Sequence, residues 1–105
     1  MDVQDLQKRL RAFAAERDWQ PYQTPKNLAM AMVVEAAELV EIFQWLTPEE
    51  SQAIAKDTAK QQHVGEEIAD VMLYLMQIAD YTGVDVQAAV ERKLKLNALK
   101  YPAKQ

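Results

Sequence analysis

Six helix-start or helix-stop signals punctuate this chain, and between them the apolar residues recur at helical rather than strand spacing. Asp2 can cap a first helix carrying Val3, Leu6, Leu10 and Phe13, which frays near Asp18 or Trp19. Thr24-Pro25 reads as an N-cap followed by proline at the first helical position, opening a helix that runs to about Leu46. Thr47-Pro48-Glu49-Glu50 repeats the signal with Glu50 placed for a capping box, and this short helix ends near Lys56 or Asp57. A long helix then covers roughly Lys60 to Tyr81 and stops at Gly83, which suits a left-handed C-cap. Asp85 caps the last helix, and Pro102 forbids much beyond it. Nothing reads as a strand, so the expectation is an all-α bundle of four to five helices.

The two longest helices each carry a pair of acids three residues apart, Glu35 with Glu38 and Glu67 with Asp70. Residues at that spacing are neighbours on one helical face. On a helical wheel, Leu28, Met32, Val33, Ala36, Leu39, Val40 and Phe43 centre about 70° from Glu35, with Glu38 about 60° to the other side. Val64, Ile68, Val71, Met72, Leu75 and Ile78 stand in much the same relation to Glu67 and Asp70. Each helix thus has one acid at the edge of its apolar stripe and a second a step further out. If the helices face each other, four carboxylates converge in the manner that hard divalent cations require. The competing reading is a solvated acidic face, common in a chain with 16 acidic residues. Glu41 points about 170° from the core centre, as a solvent-facing acid does, and is at most an optional ligand. His63 lies four residues before Glu67 and can touch the cluster or simply sit on the helix surface.

Composition narrows the chemistry further. With no cysteine and one histidine, disulfides, thiolate-zinc sites and thiol nucleophiles are excluded. The net charge of −4, with basic residues scattered apart from Arg92, Lys93, Lys95 and Lys100, argues against duplex nucleic acid as a partner. The uncharged run from Val71 to Ala79 is far too short to cross a bilayer, which takes about 20 apolar residues. Met1-Asp2-Val3 opens without a signal-peptide pattern, so a cytoplasmic protein without membrane contact is expected. At 105 residues the chain reads as one domain, residues 1–105. Met30 and Val34, and likewise Leu73 and Met76, lie outside the main stripes; helices apolar on two sides are buried on two sides. A homo-oligomer, dimer or tetramer, is therefore expected to complete the bundle.

Val34-Glu35-Ala36-Ala37-Glu38-Leu39-Val40-Glu41, followed by Glu67-Ile68-Ala69-Asp70-Val71, resembles the ExxE…ExxD signature of the all-α MazG-like nucleotide pyrophosphohydrolases. Glu16-Arg17-Asp18-Trp19, Pro25-Lys26-Asn27-Leu28, Phe43-Gln44-Trp45, Asp70 to Leu75 and Asn97 to Pro102 are similar to the short dCTP pyrophosphatase branch. The resemblance covers most of the chain. It implies hydrolysis of a nucleoside triphosphate, leaning to dCTP, to the monophosphate and pyrophosphate. It further implies Mg²⁺, with Mn²⁺ as a substitute, held by Glu35, Glu38, Glu67 and Asp70. Glu38, or with it Glu35, can instead serve as base for the attacking water. Trp19, Trp45 and Tyr74 offer flat faces for a base, or core packing; Asn97 offers an amide to a base edge or sugar; Lys26, Lys93 and Tyr101 can hold phosphate oxygens, or remain solvated. The resemblance departs where Val34 stands in place of an adjacent glutamate found in some relatives, which places a second metal in doubt. A dUTPase-like or modified-nucleotide pyrophosphatase is the nearest rival activity, and a non-catalytic helical interaction module the rival of another class. A ferritin-like di-iron bundle would want Glu-x-x-His pairs, which are absent.

Overall fold

The architecture was analysed in a computed structural model that describes residues 1–104. Each expected cap forms. Asp2, Thr24, Thr47 and Asp85 accept from the backbone N–H of Asp5, Asn27, Glu50 and Ala88, opening α1 (Val3–Glu16), α2 (Pro25–Phe43), α3 (Pro48–Ala53) and α5 (Val86–Lys100). The capping box at Thr47 is complete, with the Glu50 side chain accepting from the Thr47 N–H at 2.9 Å. Between α3 and α5 lies α4 (Thr58–Thr82), which ends where Gly83 adopts φ 74°. Among the described residues there is no strand.

Helix α3 passes at Ala53 into a 3₁₀ turn, Ile54–Lys56, which carries the short helix to its expected end, whereas three other boundaries differ from the sequence expectation. Helix α2 ends at Phe43 rather than near Leu46, because the Leu46 N–H turns back to the Phe43 carbonyl and Pro48 follows shortly after. Helix α4 begins two residues earlier than Lys60, since Asp57 acts as its cap by accepting from the Lys60 N–H. Helix α1 stops at Glu16, and a short 3₁₀ turn, Gln20–Tyr22, leads to α2.

Helices α2 and α4 form the central seam and run antiparallel, so that Glu35 lies near Asp70 and Ile42 near His63. Leu28 is buried in this seam, with Met32, Ala36, Leu39 and Phe43 half-buried along the same face of α2. The expectation that Val33 and Val40 also belong to the core stripe does not hold. Both flank the seam and are exposed, because no element covers that side of α2. Met76, by contrast, is buried although it lies off the main stripe, since α1 packs on that side of α4. Gln7 Nε2 donates to the Met76 carbonyl at 2.9 Å there.

The chain does not close around its core. Its radius of gyration is 16.9 Å, whereas a compact domain of this length measures about 13 Å. Helix α5 buries no residue. No helix among the described residues is long and apolar enough to cross a membrane.

Candidate functional site

The seam brings Glu35 and Glu38 from α2 against Glu67 from α4, with one carboxylate oxygen from each lying within 4.8 Å of the others. Glu38 is exposed, Glu35 half-buried and Glu67 only 8% exposed, the one buried charged residue among those described. Burying a carboxylate without a partner is costly. Glu67 Oε2 nevertheless has no hydrogen-bond partner. His63 Nε2 lies 3.8 Å from the other oxygen, Oε1, too far for a hydrogen bond.

The strain of gathering these acids shows in their titration. Desolvation, then the neighbouring Glu38, with Asp70 and Glu67 adding their charges, pushes the Glu35 carboxyl up to about 7. Glu67 is also raised, chiefly by desolvation and the Glu38 charge, with Asp70 contributing and the Glu35 contact opposing. Carboxyls raised in this way lack a neighbouring positive charge.

Does a divalent cation fit these residues? Hard cations bind carboxylate oxygens at about 2.0–2.6 Å, so donors gathered within 4.8 Å need little movement to share one ion. The unpartnered Glu67 oxygen and the repulsion on Glu35 are both relieved by such an ion. Asp70 stands outside the close triad. It lies next to the triad and borders, with Glu35, a pocket of about 170 Å³.

That pocket is aromatic on one side. Phe13 and Trp19 meet edge to face, with ring centroids 5.5 Å apart, and Tyr74 lines the opposite helix. The Arg17 guanidinium caps the Phe13 ring at 3.4 Å. Gln77 Nε2 donates to Gln23 Oε1 at 3.3 Å and adds amide groups to the lining. Phe13, Gln23 and Gln77 were not singled out from the sequence. Phe13 carries the apolar period of α1 and reads as core; Gln77, three residues after Tyr74 on the same face, was accessible to the same spacing argument that found the acids.

The remaining sequence candidates are not gathered here. Trp45 is 86% exposed in the turn after α2. Lys26 is exposed in the first turn of α2, and Lys93, Asn97 and Tyr101 are exposed on or just after α5. None of these five lines the aromatic pocket.

A sequence profile of the MazG-like family matches residues 30–105, which include all four acids. The chain belongs to the MazG-like family. Among curated proteins, this MazG-like chain is 38% identical to human dCTP pyrophosphatase 1 over 101 residues, and 37% identical to the rat protein of the same name over 100. These alignments cover 96% and 95% of the chain but only 59% of each relative, so the chain spans less than two thirds of their length. Among solved structures, a pyrophosphatase from Archaeoglobus fulgidus superposes with a TM-score of 0.84 at 40% identity, over 98% of this chain and 94% of the other. That similarity covers the whole helical arrangement, α1 included.

Proposed function

We propose that this chain, as a single MazG-like domain, hydrolyses a nucleoside triphosphate to the monophosphate and pyrophosphate, with dCTP as the favoured substrate. One observation carries the reading: three converging carboxylates, one buried with an unpartnered oxygen, open directly beside an aromatic pocket. The names of the curated relatives, both dCTP pyrophosphatases, support the base.

In this reading Glu35, Glu38 and Glu67 hold Mg²⁺, or Mn²⁺ in its place, with Asp70 as the fourth acid. Such an ion neutralises charge on the phosphate oxygens and lowers the barrier to attack by water. The work of the chain's own residues is positional and acid–base. Glu38, the exposed member of the triad, is the acid that gives up its place on the ion to take the proton from the attacking water, with Glu35 as the alternative base. The water oxygen bonds to phosphorus, and the bridge between the α and β phosphates breaks. Trp19 and Tyr74 hold the base by stacking, and Gln77 offers an amide to its edge.

A pocket of 170 Å³ falls short of the about 300–1,000 Å³ that small-molecule sites usually provide. A homodimer or homotetramer supplies the missing wall. The exposed apolar residues of α2 and the uncovered α5 are the surfaces it buries, and through it Trp45, Lys26, Lys93, Asn97 and Tyr101 reach a nucleotide. A cytoplasmic location, away from membranes and duplex nucleic acid, suits an enzyme of the free nucleotide pool.

The test is product analysis with Mg²⁺ and each common NTP and dNTP, separating monophosphate from diphosphate and assaying pyrophosphate, with Glu67→Gln as control. Monophosphate and pyrophosphate, greatest with dCTP and lost in the variant, are expected. A folded, metal-loaded protein that turns over no nucleotide would remove the proposal.

A further inference from the structure

The aromatic pocket has a polar end two helical turns beyond the acids. Glu67, Asp70, Tyr74 and Gln77 follow one another along α4 at steps of three, four and three residues, so they share one face of the helix. From Asp70 to Gln77 the helix rises about 10 Å, with the Tyr74 ring between them. A nucleotide laid along this face with its phosphates at the acids carries its base past Tyr74 and brings the edge of that base to Gln77. No lysine, arginine or histidine among the described residues lines the pocket, which suits it to the uncharged end of a nucleotide.

Gln77 does not stand alone there. Its Nε2 donates to Gln23 Oε1 at 3.3 Å, and both residues are half-buried. The turn that carries Gln23 is itself pinned. The Gln23 backbone N–H donates to the Gln20 carbonyl at 3.2 Å, and Asn27 Nδ2 donates to the Tyr22 carbonyl at 2.9 Å, tying the turn to the first turn of α2. The bond to Gln23 takes one of the two Nε2 hydrogens of Gln77 and leaves the other, with Oε1, to a ligand. An amide free to turn end for end matches a donor beside an acceptor in either order. One whose nitrogen is held by an acceptor keeps a single order.

We propose that Gln77, oriented by Gln23, reads the edge of the base and selects cytosine over uracil and thymine. Cytosine presents an amino donor, N4, beside the unprotonated ring nitrogen N3, so Gln77 Oε1 accepts from N4 while Nε2 donates to N3. Uracil and thymine present an oxygen, O4, beside an N3–H, and meet the same order with acceptor against acceptor and donor against donor. Gln77 is the specificity-determining residue, and Gln23 is a positioning residue that acts through it. This selection rests on the proposed function for the hydrolysis and for the place of the base.

The test compares kcat/KM for dCTP and dUTP, with Mg²⁺, in the full-length wild type and in Gln77→Met, Gln23→Met and Gln23→Glu. The wild type should prefer dCTP by about tenfold or more, the scale of a bidentate contact to a base. Gln77→Met should lose that preference, chiefly through a higher KM for dCTP. Gln23→Met frees the Gln77 amide to turn and should lose it differently, by gaining activity on dUTP, which a loss of packing does not produce. A carboxylate only accepts, so Gln23→Glu should keep the preference; its added charge acts on both substrates alike and cancels in the ratio. Gln23 lies in a turn outside the long helices, so its two variants carry the test if Gln77→Met does not fold. A dCTP-to-dUTP ratio unchanged in Gln77→Met and Gln23→Met would overturn the reader and leave the hydrolysis standing. Loss of the preference in Gln23→Glu would overturn the fixed order of the amide. A wild type that turns over no nucleotide would overturn both the reader and the proposed function.

Discussion

Arg11 Nη1 lies 2.6 Å from Asp80 Oδ1, tying the middle of α1 to the C-terminal part of α4. Arg11 is half exposed and Asp80 largely covered, so the pair is moderately screened. Together with the Gln7 bond to the Met76 carbonyl, it fixes the helix that presents Phe13 to the aromatic pocket. Arg11→Met, which keeps the apolar stem, is expected to cost about 0.5–1 kcal/mol. Urea denaturation at low and high salt checks this: the penalty should shrink as salt rises. No penalty at low salt would mean that the stem, which Met keeps, and not the charge holds α1 in place.

The acid triad predicts a gain in stability from divalent ions. A ligand at a hundred times its Kd stabilises the folded state by about 2.7 kcal/mol. Mg²⁺ and Mn²⁺ should therefore raise the Tm of the wild type, and Glu67→Gln should lose most of that rise. In the absence of metal the same variant should be no less stable than the wild type, because it replaces a buried, unpartnered carboxylate by a neutral amide. A variant that loses stability without metal would show that Glu67 has a structural partner after all.

Stability should also depend on pH through Glu35. Its folded-state pKa, about 7 against the ordinary 4.5, means that the native chain holds a proton the unfolded chain has released between those values. Within that window the native state binds more protons, so the free energy of unfolding falls as pH rises. The raised Glu67 acts in the same direction. Metal-free protein is expected to lose Tm from pH 4.5 to about 7, with no further loss from this group above it. Glu35→Gln should flatten that slope, and saturating Mg²⁺ should oppose it. Thermal melts of both proteins that rise across the window would contradict the assignment.

Asp18 has φ 55°, the one non-glycine residue in the left-handed region among those described. This turn lets the Trp19 N–H close onto the Ala14 carbonyl at 3.0 Å and brings the indole against Phe13. Asp tolerates the conformation, glycine adopts it freely and a β-branched residue resists it. Asp18→Gly should be neutral or up to about 1 kcal/mol more stable, while Asp18→Val should lose about 1–2 kcal/mol. If Trp19 holds a base, Asp18→Val should raise KM more than it lowers kcat. Equal stabilities for the two variants would show the turn to be unstrained.

What the sequence displayed and what it concealed have separate physical causes. Capping is local chemistry, so Asp2, Thr24, Thr47 and Asp85 could be read directly; Asp57 escaped because it closes one short helix and opens the next. The spacing of Glu35, Glu38 and Glu67 displayed the triad, but a helical wheel places Glu67 only at the edge of its stripe. Its burial comes from packing against α2, which no single helix encodes. The burial of Met76 depends in the same way on α1 crossing α4, and so does the place of half-exposed Phe13 beside the pocket. Asn97, Lys93 and Tyr101 were legible as chemistry yet lie on an uncovered helix, so what they meet is not decided within one copy of the chain.

Met30 and Val34 are 60% and 57% exposed on α2, one helical turn apart and continuous with exposed Val33. Scattered exposed apolar residues are ordinary, but this patch is contiguous and lies on a helix that also carries two of the acids, which makes it the surface on which the proposed association is to be tested. If a second copy covers it, a charge placed there must either remain unpaired in the interface or prevent association. Val34→Glu is therefore expected to shift the mass from a multiple of 12.0 kDa to the single chain, measured by light scattering during size exclusion. Because Val34 neighbours Glu35 but faces away from α4, the variant should keep its helical circular dichroism and the metal-dependent gain in Tm. Nucleotide turnover should nevertheless fall, since the wall that completes the small aromatic pocket departs with the partner. A wild type that is already monomeric at micromolar concentration and fully active would show that one copy suffices, and would leave the exposed face of α2 without a role in turnover.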